Sequence, residues 1–175
     1  GIEGLISDPY YDGGGINIDD TDKAIIVNVT VAQNVIPEGR YGSGLNTDMG
    51  VLDSLFVINS IFADNYRGDI VDASTIVVGG GKNYFYNNFS NFDIEGFYTG
   101  SNNVFDINSP FQEATDWLVF EYSNLTNIGV KSINIEGRTI RTPEFDLFGL
   151  FRDENLIDAG AVQMTQVMVN DYEIP

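Results

Sequence analysis

The chain contains no cysteine and no histidine, and its eight lysines and arginines face twenty-six aspartates and glutamates. Each shortage removes a class of chemistry. Without cysteine there is no disulfide, no thiolate nucleophile and no thiolate-bound metal. Without histidine there is no Ser-His-Asp triad and no imidazole base working near neutral pH. A formal charge of −18 opposes docking on nucleic acid or on an anionic membrane surface, both of which recruit basic side chains. No apolar run approaches the roughly 18 residues of a membrane span. The opening residues, Gly1-Ile2-Glu3-Gly4-Leu5-Ile6, have neither the basic region nor the apolar stretch of a secretory signal. A start at Gly1 reads as a processed or excised piece of a longer polypeptide, and the lack of cysteine fits the outside of a bacterium.

What is present is material for one packed domain: 175 residues, 43% of them hydrophobic. The apolar segments are short and rich in β-branched and aromatic residues. Ala24-Ile25-Ile26-Val27-Asn28-Val29-Thr30-Val31 and Leu55-Phe56-Val57-Ile58-Asn59-Ser60-Ile61-Phe62 are bounded by Gly, Asn and Asp, the signature of strands. One helical turn is expected over Ser109–Trp117, where Ser109 caps and Pro110 takes the first helical position.

The segments also repeat. Gly13-Gly14-Gly15-Ile16-Asn17 is echoed by Gly42-Ser43-Gly44-Leu45-Asn46, and Val27–Asn34 is echoed by Ile58–Asn65 at nearly the same offset. A period of about 30 residues points to stacked supersecondary units. When strands stack at about 4.8 Å, like residues lie on like. Apolar side chains then form inward ladders, while Asn at a tight corner bonds to the Asn below it and tolerates a left-handed backbone. The glycine run serves a turn, since no phosphate-binding Lys follows it.

These segments, together with Gly68-Asp69-Ile70, Ser101-Asn102-Asn103-Val104-Phe105 and Leu156-Ile157-Asp158-Ala159-Gly160-Ala161-Val162-Gln163, resemble the right-handed parallel β-helix repeat proteins of bacterial surfaces. The resemblance implies an all-β, right-handed parallel β-helix of about five or six irregular coils over residues 13–163. Residues 1–12 would join or cap it, 156–163 would close its last coil, and 164–175 would add a strand or linker tail. Val162-Gln163 replaces the aromatic and acid usual at the family's ending.

Three constellations bear on function. Asp19, Asp20 and Asp22 cluster in one turn, and Asp64, Asp69 and Asp72 near another. Grouped carboxylates suit Ca²⁺, although neither cluster has the spacing of an EF-hand, and a solvated acidic turn is the plainer reading. Twelve aromatics lie between Tyr84 and Tyr122. Most are Phe suited to a core, and Tyr86, Tyr98, Trp117 and Tyr122 are the candidates for stacking on sugar rings. Asn46-Thr47-Asp48 is similar to one motif of polygalacturonases, but that family's Gly-His-Gly and Arg-Ile-Lys motifs are absent. The basic residues are scattered, with no two of them close on one repeat.

The expected function is an extracellular structural or adhesive module of a microbial surface or appendage, more a binding protein than an enzyme. Its partners would be a second copy or an upstream part of the same polypeptide at its open ends, and polysaccharide. Two rivals stay open: a polysaccharide lyase or glycoside hydrolase on a β-helix scaffold, and a phage tail-spike-like fragment. Since a stack of strands exposes unpaired backbone at each end, Ile16–Ile18 is expected to pair with something beyond the repeats.

Overall fold

A computed structural model describes residues 13–47, 53–111, 125, 127–153, 155 and 157–163, and these are all β, with no helix among them. The first pass of the chain forms β1 (Ile16–Asn17), β2 (Lys23–Val27), β3 (Thr30–Ala32) and β4 (Val35–Ile36). The second forms β5 (Leu45–Thr47), β6 (Ser54–Ile58), β7 (Ile61–Ala63), β8 (Tyr66–Arg67) and β9 (Ile70–Val71). The third contributes β10 (Ile76–Val78), β11 (Lys82–Tyr86) and β12 (Phe89–Ser90), and a shorter fourth contributes β13 (Thr99–Ser101) and β14 (Val104–Phe105). A hairpin, β15 (Ser132–Ile135) and β16 (Arg138–Arg141), follows.

Three sheets are wholly parallel: β1-β5-β10 takes one strand from each of the first three passes, and β2-β6-β11-β13 and β3-β7-β12-β14 take one from each of the four. The registers are those of the sequence repeat. Ile16 pairs with Leu45 and Asn17 with Asn46, while Val27 pairs with Ile58, Thr30 with Ile61 and Ala32 with Ala63. The resemblance implied five or six coils; the described ladders reach four rungs.

The corner between the second and third sheets explains why asparagine recurs there. Asn28, Asn59, Asn87 and Asn102 all hold left-handed backbone, with φ of 52, 51, 57 and 57°. Asparagine adopts this conformation at less cost than most residues. Their side chains form one ladder: Asn59 Nδ2 donates to Asn28 Oδ1 at 3.3 Å, Asn87 Nδ2 to Asn59 Oδ1 at 3.4 Å, and Asn102 Nδ2 to Asn87 Oδ1 at 3.1 Å. A second column pairs Asn34 with Asn65, whose Oδ1 accepts from Asn34 Nδ2 at 2.9 Å.

Inside the sheets, Ile26, Val31, Leu45, Leu55, Val57, Phe62, Ile76, Val78, Phe85 and Ile94 form the main core. Phe62 and Phe85 are fully buried in it. The outer faces are covered too. The described residues among 128–163 pack on the outer faces of the second and third sheets and add no rung to the parallel ladders. Ile135 and Ile140 of the hairpin pack on Phe56, Ile58 and Tyr84 of the second sheet. Ala159 packs with Ile61, Ala63 and Phe89 on the third. Both faces of β6 are therefore buried, and its sequence Ser54-Leu55-Phe56-Val57-Ile58 is nearly continuous apolar rather than alternating.

Asp72 ties the second and third passes together. It is fully buried and accepts from Arg67 Nε at 3.0 Å, from the Ser74 amide at 3.0 Å and from the Ser43 amide at 3.2 Å. Burial pushes its carboxyl up, but the bonds from Arg67, Ser74 and Ser43 outweigh it and hold the pKa below the ordinary value. A lowered folded pKa contributes stability above the unfolded pKa, which is lost as pH falls through the folded one. Asp72→Asn is therefore expected to destabilise the protein at about pH 7 and by less at about pH 2, because the parent loses the contribution of its carboxylate as pH falls. Urea unfolding midpoints at the two pH values test this; an equal gap at both would contradict it.

Candidate functional site

Among the described residues, β1, β2 and β3 are the outermost rungs of their sheets. Beside them opens a concavity of about 440 Å³ whose lining includes Ile16, Val29, Thr30, Val31, Leu147 and Ala161. None of its described lining residues is ionisable, so this mouth offers apolar surface and backbone rather than acid–base chemistry. Gly15 forms part of its wall. A Cβ there would stand 2.4 Å from Val31 Cγ1 and 2.7 Å from the Gly44 oxygen, so only glycine admits β1 so close to the next pass.

The returning segment supplies the other wall. Asp146 organises a tight loop by accepting from the amides of Phe148 at 2.9 Å and Leu150 at 2.8 Å, and Phe145 and Phe151 bridge its base with rings edge-to-face at 5.9 Å. The loop turns its apolar side chains outward: Leu147 is 69% exposed, Phe148 65% and Phe151 61%. Exposed apolar side chains grouped on one loop are a feature that interaction surfaces share.

Arg152 anchors the segment from beneath. It is buried and donates to the carbonyls of Gly160 at 3.1 Å and Ala161 at 2.9 Å and to Gln163 Oε1 at 3.4 Å. Burial pushes its guanidinium below the usual pKa, and the carboxylates of Asp146 and Asp158 oppose that fall. Gln163 completes the network, accepting the Asp158 amide at 3.3 Å and donating Nε2 to Asp158 Oδ2 at 3.0 Å. Residues 157–163, expected at the far end of the stack, lie instead against its first two passes. Asn28 Nδ2 donates to the Asp158 carbonyl at 3.0 Å, and the Gly160 amide donates to the Asn59 carbonyl at 2.8 Å. Gly160 has φ +87°, and a Cβ there would meet Thr30 Oγ1 at 2.7 Å.

The residues singled out from the sequence are dispersed. Tyr86 packs against the outer cluster of the second sheet, whereas Tyr98 lies edge-on to Phe85 at 5.7 Å and donates its hydroxyl to Asp93 at 3.2 Å. The two form no common platform, and Trp117 and Tyr122 lie outside the described residues. Asp19, Asp20 and Asp22 are exposed, Asp64 accepts from Ser109 Oγ at 2.7 Å, and Asp72 is occupied as above. Among the described residues no three acidic side chains converge on a point that could hold a cation. Of the Asn46-Thr47-Asp48 motif, Asn46 donates to Asn17 at 3.0 Å and Asp48 is not described. Asn28 and Asn88, both in glycosylation sequons, are buried with their amides bonded inside the fold, so the native fold presents neither for modification.

Sequence reasoning missed the apolar loop because Phe145-Asp146-Leu147-Phe148-Gly149-Leu150-Phe151 reads as core material. The only available signal was a glycine, Gly149, shortly after an Asp, which marks a turn within an apolar run. No family model matches this chain, and no curated protein and no solved structure matches it either, so its own geometry is the ground for any function.

Proposed function

We propose that the chain is a right-handed parallel β-helix that serves as a rigid structural module of a microbial surface or appendage and joins end to end with another copy. The observation that carries this reading is the first-pass end of the ladders: β1, β2 and β3 border an apolar mouth without ionisable lining, beside the exposed Leu147–Phe148 tip. Parallel strands joined within one sheet cross over right-handedly in about 98% of cases, which supports the handedness. In-register stacking with asparagine ladders gives a stiff body, and among the described residues β1, β2 and β3 have a strand neighbour on one side only. Mutual repulsion at a charge of −18 disfavours side-by-side clustering and leaves the ends for contact. A contact between unlike ends propagates unless it closes, which suits an appendage.

Sedimentation velocity over a concentration series tests the proposal. The expected result is association that lengthens the particle and is suppressed by Leu147→Asp or Phe148→Asp, at exposed positions where the charge leaves the fold intact. A monomer at the highest concentration, or association unaffected by both substitutions, would count against it.

A further inference from the structure

The second sheet carries a polar cleft that the end-to-end reading does not use. Strand alternation places Lys23, Ser54 and Lys82 on the outer face of β2, β6 and β11, at one register position. The in-register pairing stacks the three in a column, with the lysines two rungs apart, about 9–10 Å. The β15–β16 turn overhangs this column. Glu136 and Gly137 both hold left-handed backbone, φ 49 and 76°, as a two-residue hairpin turn requires, and Ile135 and Ile140 seat the hairpin on Phe56 and Tyr84. Between turn and sheet lies a cleft of about 370 Å³ lined by Lys23, Asp53, Ser54, Lys82, Glu136 and Arg138 among others.

Three of the chain's eight basic side chains thus converge on one concavity, although the sequence showed no two of them close on one repeat. Their roles differ. Lys82 Nζ bonds both Glu136 oxygens, at 3.0 and 3.2 Å, and so links the sheet to the turn. Lys23 and Arg138 have no ion-pair partner among the described residues, despite the large excess of acids. The cleft's described charges sum to one positive: three cations against Asp53 and Glu136. It therefore combines one uncompensated positive charge with a hydroxyl and two carboxylates able to accept from hydroxyl donors.

We infer that this cleft binds a hydroxylated monocarboxylate, a sugar acid either free or as an acidic unit of a glycan. Lys23 and Arg138 take the carboxylate, while Asp53 and Ser54 take ring hydroxyls. Calorimetric titration of the full chain with D-glucuronate, glucose and inorganic phosphate tests the assignment. Glucuronate is expected to bind saturably, glucose at least about tenfold more weakly, and Lys23→Gln and Arg138→Gln each to weaken glucuronate about tenfold, the loss of one charge-assisted hydrogen bond. Both residues are exposed, and unchanged melting temperatures verify that the variants fold. An oligosaccharide with internal glucuronate separates the sources: binding equal to the free acid assigns an acidic glycan, and binding of the free acid alone assigns a small metabolite. No saturable binding, glucose or phosphate binding as tightly as glucuronate, or unaltered affinity in both variants would overturn the inference. Failure of end-to-end association leaves it untouched, because the cleft lies away from the mouth residues.

Discussion

Asn59→Ala is expected to cost about 3–5 kcal/mol, a large part of the roughly 5–15 kcal/mol that separates folded from unfolded states in typical domains. Asn59 is fully buried at the centre of the corner ladder. Its Nδ2 donates to Thr142 Oγ1 at 2.8 Å and to the Val130 carbonyl at 2.9 Å, besides its bond to Asn28, and its Oδ1 accepts the Val130 amide at 3.1 Å. One side chain therefore joins the ladder to the returning segment, and truncation leaves buried polar groups on both sides without partners. Alanine also has to hold the left-handed φ of 51°, a further cost of about 1–2 kcal/mol that Asn59→Gly avoids. Denaturant unfolding should rank the parent above Asn59→Gly and that above Asn59→Ala. If the glycine variant equals the parent, the amide bonds contribute nothing and the explanation fails.

Arg152→Leu is expected to destabilise by about 3–5 kcal/mol, since it deprives buried acceptors, Gln163 Oε1 among them, of a charged donor. It also strips the Gly160 and Ala161 carbonyls of their donors. Arg152→Lys should recover little of this, because a single ammonium cannot span the two carbonyls and Gln163 as the planar guanidinium does. The damage should be local before it is global. Amide exchange should accelerate first at Gly160 and Leu147, which bond to Asn59 and Ala161, while β6 and β7 stay protected. Equal acceleration throughout would show that the segment is no separate unit, and an unchanged melting temperature would show that the network does not stabilise the fold.

These expectations mark a boundary between two kinds of contact. The offsets of the sequence repeat already place Ile16 on Leu45 and Val27 on Ile58, and the choice of Asn at 28 and 59 announces a left-handed corner. Such features are legible because a stacked rung bonds to a copy of itself. The fourth rung was legible in Ser101-Asn102-Asn103-Val104-Phe105 by resemblance, but the repeat offset did not give its register, because its corner, Asn102, follows Asn87 at about half the usual spacing. The candidate site was scarcely legible at all. Leu147 reaches the mouth through its amide bond to the Ala161 carbonyl, and Lys23 shares a cleft with Arg138 only because a hairpin from far along the chain packs on the second sheet.

The sequence by itself determined the strand class, the parallel register of the first two passes and the asparagine corners, because each depends on residues whose neighbours repeat their own type. Only the tertiary structure decided that the described residues among 128–163 pack over the outer faces of the second and third sheets, that Arg152 gathers Gly160, Ala161 and Gln163, and that scattered cations share one cleft. Those contacts join surfaces with no common period, at opposite ends of the chain: the Ala161 amide donates to the Thr30 hydroxyl at 2.9 Å. Nothing in a repeat specifies such partners; complementary burial of apolar faces and pairing of buried polar groups select them when the whole chain packs.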